Sequence, residues 1–159
     1  MDVIVREGLP KDTLWIVPLL KEGTQNRHFA LDITQASALL DEIFRNVRVP
    51  IMKDRGGKKT PSFVSTEVFV AEIEETPASF LILFKDREGI ELHLAGTKKQ
   101  FQRNGCFSEL IKHAVSKHST DIKIYARCYK KSTWAIEGLK KEGFLITKSG
   151  DPIELTFNR

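Results

Sequence analysis

The sequence predicts a mixed α/β fold, a mostly antiparallel twisted sheet with helices on both faces, in the order β-α-α-β-β-β-α-β-α-β-β. Three observations predict it. Stretches with the two-residue period of strands alternate with stretches of helical period. Three strand-like runs, 66–75, 78–86 and 89–98, follow one another across short turn sequences, Glu-Thr-Pro and Asp-Arg-Glu-Gly, which is the pattern of an antiparallel meander. The middle run is apolar on both faces from Phe80 to Phe84, so it needs cover on each side.

Each element has its own local reason. DVIVRE alternates and reads as the first strand. LPKDTLWIVPLLKEG reads as a helix with Leu14, Trp15, Leu19 and Leu20 on one face, bent or interrupted at Pro18. DITQASALLDEIFRNV is a second helix, capped by Asp32 or Thr34, with Ala36, Leu39, Leu40, Ile43, Phe44 and Val47 recurring at helical spacing and Pro50 closing it. KDRGGKK, from Lys53 to Lys59, reads as a mobile basic loop, either simply solvated or touching an acidic or nucleic-acid partner. After the meander comes GTKKQFQRNGCFSELIKHAV, a basic turn feeding a helix with an apolar stripe at Phe107, Leu110, Ile111, Ala114 and Val115. DIKIYARCY is the next strand. STWAIEGLKKEG is a helix with Ser132 at its N-cap, Ala135, Ile136 and Leu139 inward and Gly143 at its end. FLITKSGDPIELTFNR is a final hairpin.

Length and composition set outer bounds. The 159 residues suit one domain, 1–159, with a sizeable core. Apolar runs are too short for a bilayer, and MDVIVREGLP lacks the charge and apolar stretch of a secretory signal, so a cytoplasmic protein is expected. Cys106 and Cys128 make neither a disulfide framework nor a zinc pattern, and no metal is expected. The formal charge of +4 suits an anionic ligand without demanding one.

The turn before the third helix is the strongest chemical signal. A helix N-terminus offers unpaired N–H groups and partial positive charge. Gly105 allows close approach, Lys98, Lys99, Gln102 and Arg103 add donors, and nothing acidic occurs between Gly96 and Ser108. Such a turn suits a phosphate, although a glycine before a helix is also a plain turn. Gln102-Arg103-Asn104-Gly105-Cys106-Phe107 resembles the Q/R-x-x-G-x-G/A signature of the GNAT superfamily of N-acetyltransferases, between the fourth strand and the third helix. Ser132-Thr133-Trp134-Ala135-Ile136 and Glu142-Gly143-Phe144 resemble that family's N-x-x-A-I and Y-x-x-x-G-F segment. Three positions depart from the pattern: Phe107 stands where a small residue is usual, Ser132 where asparagine is usual, and Leu139 where many members carry the tyrosine that protonates the leaving thiolate.

The resemblance implies acetyl-CoA as donor and an amine as acceptor, by direct attack. It places the pantetheine arm along Leu94, Ala95 and Thr97, the pyrophosphate on Gln102, Arg103, Asn104, Gly105, Cys106, Phe107 and Ser108, and Ser132 near the thiol end of the cofactor. A main-chain N–H near Ala95 would polarise the thioester carbonyl. For the base, Glu91 and His93 are two apart on one strand and share a face, with Leu92 and Leu94 facing the other way; a solvated patch or a packed histidine is the competing reading. Glu67 and Glu72 are weaker candidates. Tyr129 and Ser132 are the candidate acids, and Cys106, at a helix start, is a candidate for a lowered thiol pKa. Trp15, Phe29, Phe44 and Trp134 read as core or groove wall, and Asn26, Arg27 and His28 as acceptor-side residues. The alternatives are a nucleic-acid-directed member of the fold, with charged tRNA or a DNA base as acceptor, and an inactive binding protein. Either a monomer or a homodimer fits.

Overall fold

The computed structural model describes residues 2–26, 35–46, 48–55, 58–118 and 120–158. The elements are β1 (Val3–Glu7), α1 (Thr13–Gln25), α2 (Ala36–Arg45), β2 (Arg48–Arg55), β3 (Lys58–Ile73), β4 (Thr76–Asp86), β5 (Gly89–Thr97), α3 (Cys106–Lys117), β6 (Ile124–Cys128), α4 (Thr133–Lys141), β7 (Phe144–Lys148) and β8 (Ile153–Phe157). The strands form one sheet in the order β1-β3-β4-β5-β6-β8-β7, with β2 also on β3, and every pairing is antiparallel except β5 with β6.

β4 behaves as its composition requires. Phe80, Ile82 and Phe84 enter the core beneath α1 and α2, whereas Leu81 and Leu83 enter the core beneath α3 and α4. α3 buries Cys106, Leu110, Ile111 and Ala114, with Phe107 and Val115 at its flanks. α4 buries Ala135, Ile136 and Leu139.

Four expectations are corrected. First, 53–55 and 58–59 lie in strands rather than in a loop between helix and meander. β2 runs through Arg55 and pairs with β3 from Lys58, adding a strand to the predicted order. Pro50 and Pro61 conceal this ribbon in the sequence, yet proline is tolerated where a strand segment has only one neighbour, and β4 does not join β3 until Ser65. Second, α1 is a single helix through Pro18, which lies on its exposed side. Third, Leu20 is buried and Trp15 and Leu19 pack against the core as expected, but Leu14 is 83% exposed, and Ile16 and Val17 are buried in its place. Fourth, Ser132 occupies the N-cap of α4 without a side-chain capping bond. The positions of Arg27, His28, Phe29, Asp32, Thr34, Val47, Gly56 and Gly57 lie outside the described residues.

β1 is anchored by a buried carboxylate. Asp12 accepts both terminal nitrogens of Arg6 (2.8 and 2.9 Å), the Leu9 N–H (2.7 Å) and Trp15 Nε1 (2.8 Å). Burial acts to raise the Asp12 carboxyl, but these donors outweigh it and hold it below its ordinary range. Arg6 Nε also meets Glu72 at 3.1 Å, and Glu67 meets Lys117 at 2.8 Å. Glu72 and Glu67, read as weaker bases, are thus committed to ion pairs.

Candidate active site

The site forms where two neighbouring strands part. β5 and β6 pair in parallel only at Ile90–Ile124 and Glu91–Tyr125. Beyond Glu91 the strands diverge, and the opening is a cavity of about 50 Å³. Its walls are mainly apolar, from Leu92, Leu94, Ala95, Ala126, Leu139 and their neighbours, with His93, Arg127, Cys128 and Ser132 supplying the polar groups.

A β-bulge sets the orientation of the β5 side chains. Ile82 pairs with Leu94 and Leu83 with Leu92, so His93 is the extra residue. Glu91 and His93 do share a face, as expected from their spacing. Leu92 and Leu94 do not: Leu92 enters the core under α3 and α4, and Leu94 the core under α1 and α2. The inserted residue changes the parity of everything after it.

The polar face of β5 is a three-residue network. His93 Nδ1 lies 2.7 Å from Glu91 Oε1, and Arg127 Nε donates to Glu91 Oε2 at 3.1 Å. Burial alone would raise the Glu91 carboxyl, but His93 and Arg127 outweigh it, and the group is pushed down to about 2. Glu91 is therefore ionised and can only accept, so the proton of this hydrogen bond sits on His93 Nδ1, and Nε2 is the ring nitrogen left to exchange a proton. The ring stacks on Phe84 with centroids 4.1 Å apart, which fixes its plane. A carboxylate this acidic, with both oxygens engaged, is better suited to orient His93 than to accept a proton.

The turn before α3 is built from left-handed residues. Arg103 has φ 67° and Gly105 φ 80°. The Asn104 amide donates to the carbonyls of Phe101 (3.1 Å) and Gln102 (3.2 Å), bracing the turn from within. A Cβ at Gly105 would meet nothing within 4 Å, so the demand for glycine is conformational and the space before the turn is open. The first helical bond runs from Glu109 N to Gly105 O (3.0 Å), leaving the N–H groups of Cys106, Phe107 and Ser108 ahead of it. Leu94, Ala95 and Thr97 lie on the edge of β5 beyond its pairing with β6, and the Thr97 hydroxyl is engaged by Ser79 at 2.8 Å, so only its main chain is on offer.

Phe107 finds its room against α4. Its ring meets Trp134 edge-on, with centroids 5.2 Å apart, and lies over Gly138. A Cβ on Gly138 would stand 2.8 and 2.9 Å from Phe107 Cδ2 and Cε2. The small residue of this contact is on the facing helix rather than in the turn. Gly138→Ala should therefore lower stability by about 1 kcal/mol in urea unfolding, because overpacking outweighs the helix-propensity gain of alanine. Phe107→Leu in the same chain should restore it; a more stable single variant would show that the ring moves freely.

Other expectations divide. Cys106 is 2% exposed and burial pushes its thiol up, the opposite of the lowered pKa expected at a helix start. Ser132 borders the cleft; Tyr129 lies just past β6, outside the cleft wall, its carbonyl accepting from Ser132 N at 2.9 Å. Trp134 lines the cleft. Trp15 packs edge-on against Phe80, Phe44 lines a separate hollow with Glu7 and Glu67, and Asn26 is exposed at the end of α1. The sequence reading missed Arg127 and Cys128. The alternation of β6 carried a signal, since Ile124 and Ala126 turn inward and Tyr125 and Arg127 outward, but nothing linked Arg127 to a glutamate 36 positions earlier.

No protein-family model and no curated protein matches the chain. Solved structures do. The PaiA N-acetyltransferase from Thermoplasma acidophilum, solved in complex with coenzyme A, superposes with a TM-score of 0.68 at 11% identity over 100% of both chains. A GNAT-family acetyltransferase from Bacillus cereus gives 0.70 at 14% identity, covering 100% of this chain and 99% of its own. The smu.2055 protein of Streptococcus mutans gives 0.74 at 13% identity over 98% of each. This chain has the GNAT fold. Identities this low carry the fold alone, and they agree with the fold that the Gln102–Phe107 and Ser132–Ile136 resemblances imply. Within the GNAT fold, β2 with the start of β3 is a ribbon ahead of the meander, so the strand counted fourth in the sequence is β5. Among the described residues, no helix is long and apolar enough to cross a membrane.

Proposed function

We propose that the protein is an acyl-CoA-dependent N-acyltransferase that moves an acetyl group from acetyl-CoA to an amine. The observation that carries this is the parting of β5 from β6 directly beside the open turn at Gly105. One GNAT-fold neighbour was solved with coenzyme A, which supports the cofactor class.

The residues present fit such a cofactor. The unpaired edge of β5 from Leu94 to Thr97 suits a strand-like pantetheine arm held by main-chain bonds. The N–H groups of Cys106, Phe107 and Ser108, with Gln102, Arg103 and Asn104 around them, suit the pyrophosphate. Bound acetyl-CoA supplies the activated acyl group. The chain's tasks are to hold it, to take a proton from the amine, and to present donors to the carbonyl oxygen and the departing sulfur. A main-chain N–H near Ala95, beside the bulge, is the carbonyl donor. His93 Nε2 takes the amine proton, directly or through one water, while Glu91 holds Nδ1. Of the two candidates to meet the sulfur, Tyr129 and Ser132, Ser132 borders the cleft and Tyr129 lies outside its lining, and Leu139, where the resemblance expects a tyrosine, has nothing to donate.

Thermal unfolding with and without acetyl-CoA tests the cofactor. At about 100 times the Kd, binding should stabilise the protein by about 2.7 kcal/mol, which is several degrees in Tm. No shift at millimolar acetyl-CoA would overturn the proposal, and a shift without thiol release for any amine would leave a binding protein.

A further inference from the structure

We infer that the acceptor amine carries a carboxylate, as a small amino acid does, and that Arg127 binds it. This rests on the acyltransfer reading above and names its substrate class.

The face of the sheet opposite α3 and α4 is divided in two. α1 packs on β5 and α2 on β2, and neither makes comparable contact with β6 or β8. Among the described residues, the side chains beside His93 on this face are Tyr125 (3% exposed) and Arg127 from β6 and Glu154 and Thr156 from β8, which pairs with β6. Most charge there is already matched. Glu154 is 7% exposed and faces Lys123 (3.3 Å) and Lys148 (3.9 Å), with the Thr147 hydroxyl donating at 3.1 Å. Lys123 also covers the Tyr125 ring at 4.6 Å.

Arg127 differs from these. It gives Nε to Glu91, and its guanidinium lies over Tyr125 with its carbon 5.9 Å from the ring centre, so the group is braced on two sides. Its side chain is still 43% exposed, and it borders the same cleft as His93. Glu91 is contacted through Nε and the Tyr125 side chain also bonds the guanidinium, so what remains for a second anion is the solvent-facing part of a group that is still 43% exposed. Burial acts to lower the Arg127 pKa, but the Glu91 charge outweighs it, so the guanidinium is charged at any working pH.

The spacing matches a small amino acid. Imidazole and guanidinium flank one carboxylate, at 2.7 and 3.1 Å from its two oxygens. An acceptor carboxylate on Arg127 therefore leaves its own amine a few bonds away, within reach of the His93 ring that borders the same cleft. A phosphate fits less well, because a dianion would bring two negative charges beside Glu91, and the one guanidinium there is already shared with that carboxylate.

The test uses matched acceptors. Free α-amino acids and their primary amides are given to the protein with acetyl-CoA, thiol release is followed, and acetyl-CoA affinity is measured separately by calorimetry. Some amino acid should be used with a kcat/KM on the order of 10- to 100-fold above its amide, the worth of one charge-assisted hydrogen-bonded pair. In Arg127→Gln that ratio should collapse toward one; Arg127→Lys should restore part of it. The ratio is the readout because any indirect loss through Glu91 and His93 slows both acceptors alike. Equal use of acids and amides, an unchanged ratio in Arg127→Gln, or turnover of polyamines alone would overturn the inference while leaving the acyltransfer reading intact. Failure to bind acetyl-CoA would overturn both.

Discussion

His93→Ala will lose on the order of 10²- to 10⁴-fold in kcat while binding acetyl-CoA as the native protein does. The expectation follows from which atom is free to act. Glu91 is held ionised at about 2 and engages Nδ1, so Nε2 is the nitrogen left to exchange a proton. The imidazole lies between Phe84 and the cleft, on the opposite side of the sheet from the Cys106–Ser108 turn, so the cofactor contacts should survive its removal. The acceptor that proves active supplies the assay, and calorimetry supplies the affinity. Equal losses in kcat and kcat/KM would mean that the lost contact is made only in the transition state. Native rates would remove His93 from the chemistry and reopen the question of a water-borne base.

Glu91→Gln will cost on the order of 3 kcal/mol of stability at neutral pH, and the cost will fade in acid. The folded carboxyl sits at about 2 against an ordinary 4.5. Its folded pKa is depressed, so its contribution is complete above pH 4.5 and is lost as pH falls from there toward 2. Glutamine keeps the shape but not the charge, leaving Arg127 partly unmatched in a site that is 7% exposed at Glu91. Urea unfolding of both proteins from about pH 7 to about pH 3 checks this, with the gap between the two curves narrowing by roughly half at the acid end. Parallel curves across that range would show that Glu91 is not the group whose protonation matters.

Parts of this molecule were legible locally. Phe80 to Phe84 is apolar at every position, and such a strand can only be central. Gly105 stands before a stripe of helical period, and its φ of 80° is the conformation that glycine tolerates best. The β2 ribbon was illegible for an equally local reason: Pro50 and Pro61 argue against a strand, and only a lone-neighbour position removes the objection. The face of α1 was legible in part: Leu20 is buried and Trp15 and Leu19 pack against the core, but Leu14 is exposed, and the packing partner brings Ile16 and Val17 to the centre instead.

The candidate site divides along the same line. By itself the sequence determined that Glu91 and His93 would share a face, that a basic, carboxylate-free turn would precede α3, and that Leu139 could donate nothing. These follow from backbone period and side-chain chemistry, which neighbouring residues settle among themselves. Only the tertiary structure decided that a bulge at His93 sends Leu94 to the opposite core, that Arg127 reaches across from β6 to keep Glu91 ionised, and that Gly138 makes room for Phe107. Each depends on register or on contact between segments far apart in the chain, and a linear pattern carries no record of which strand lies beside which or at what offset.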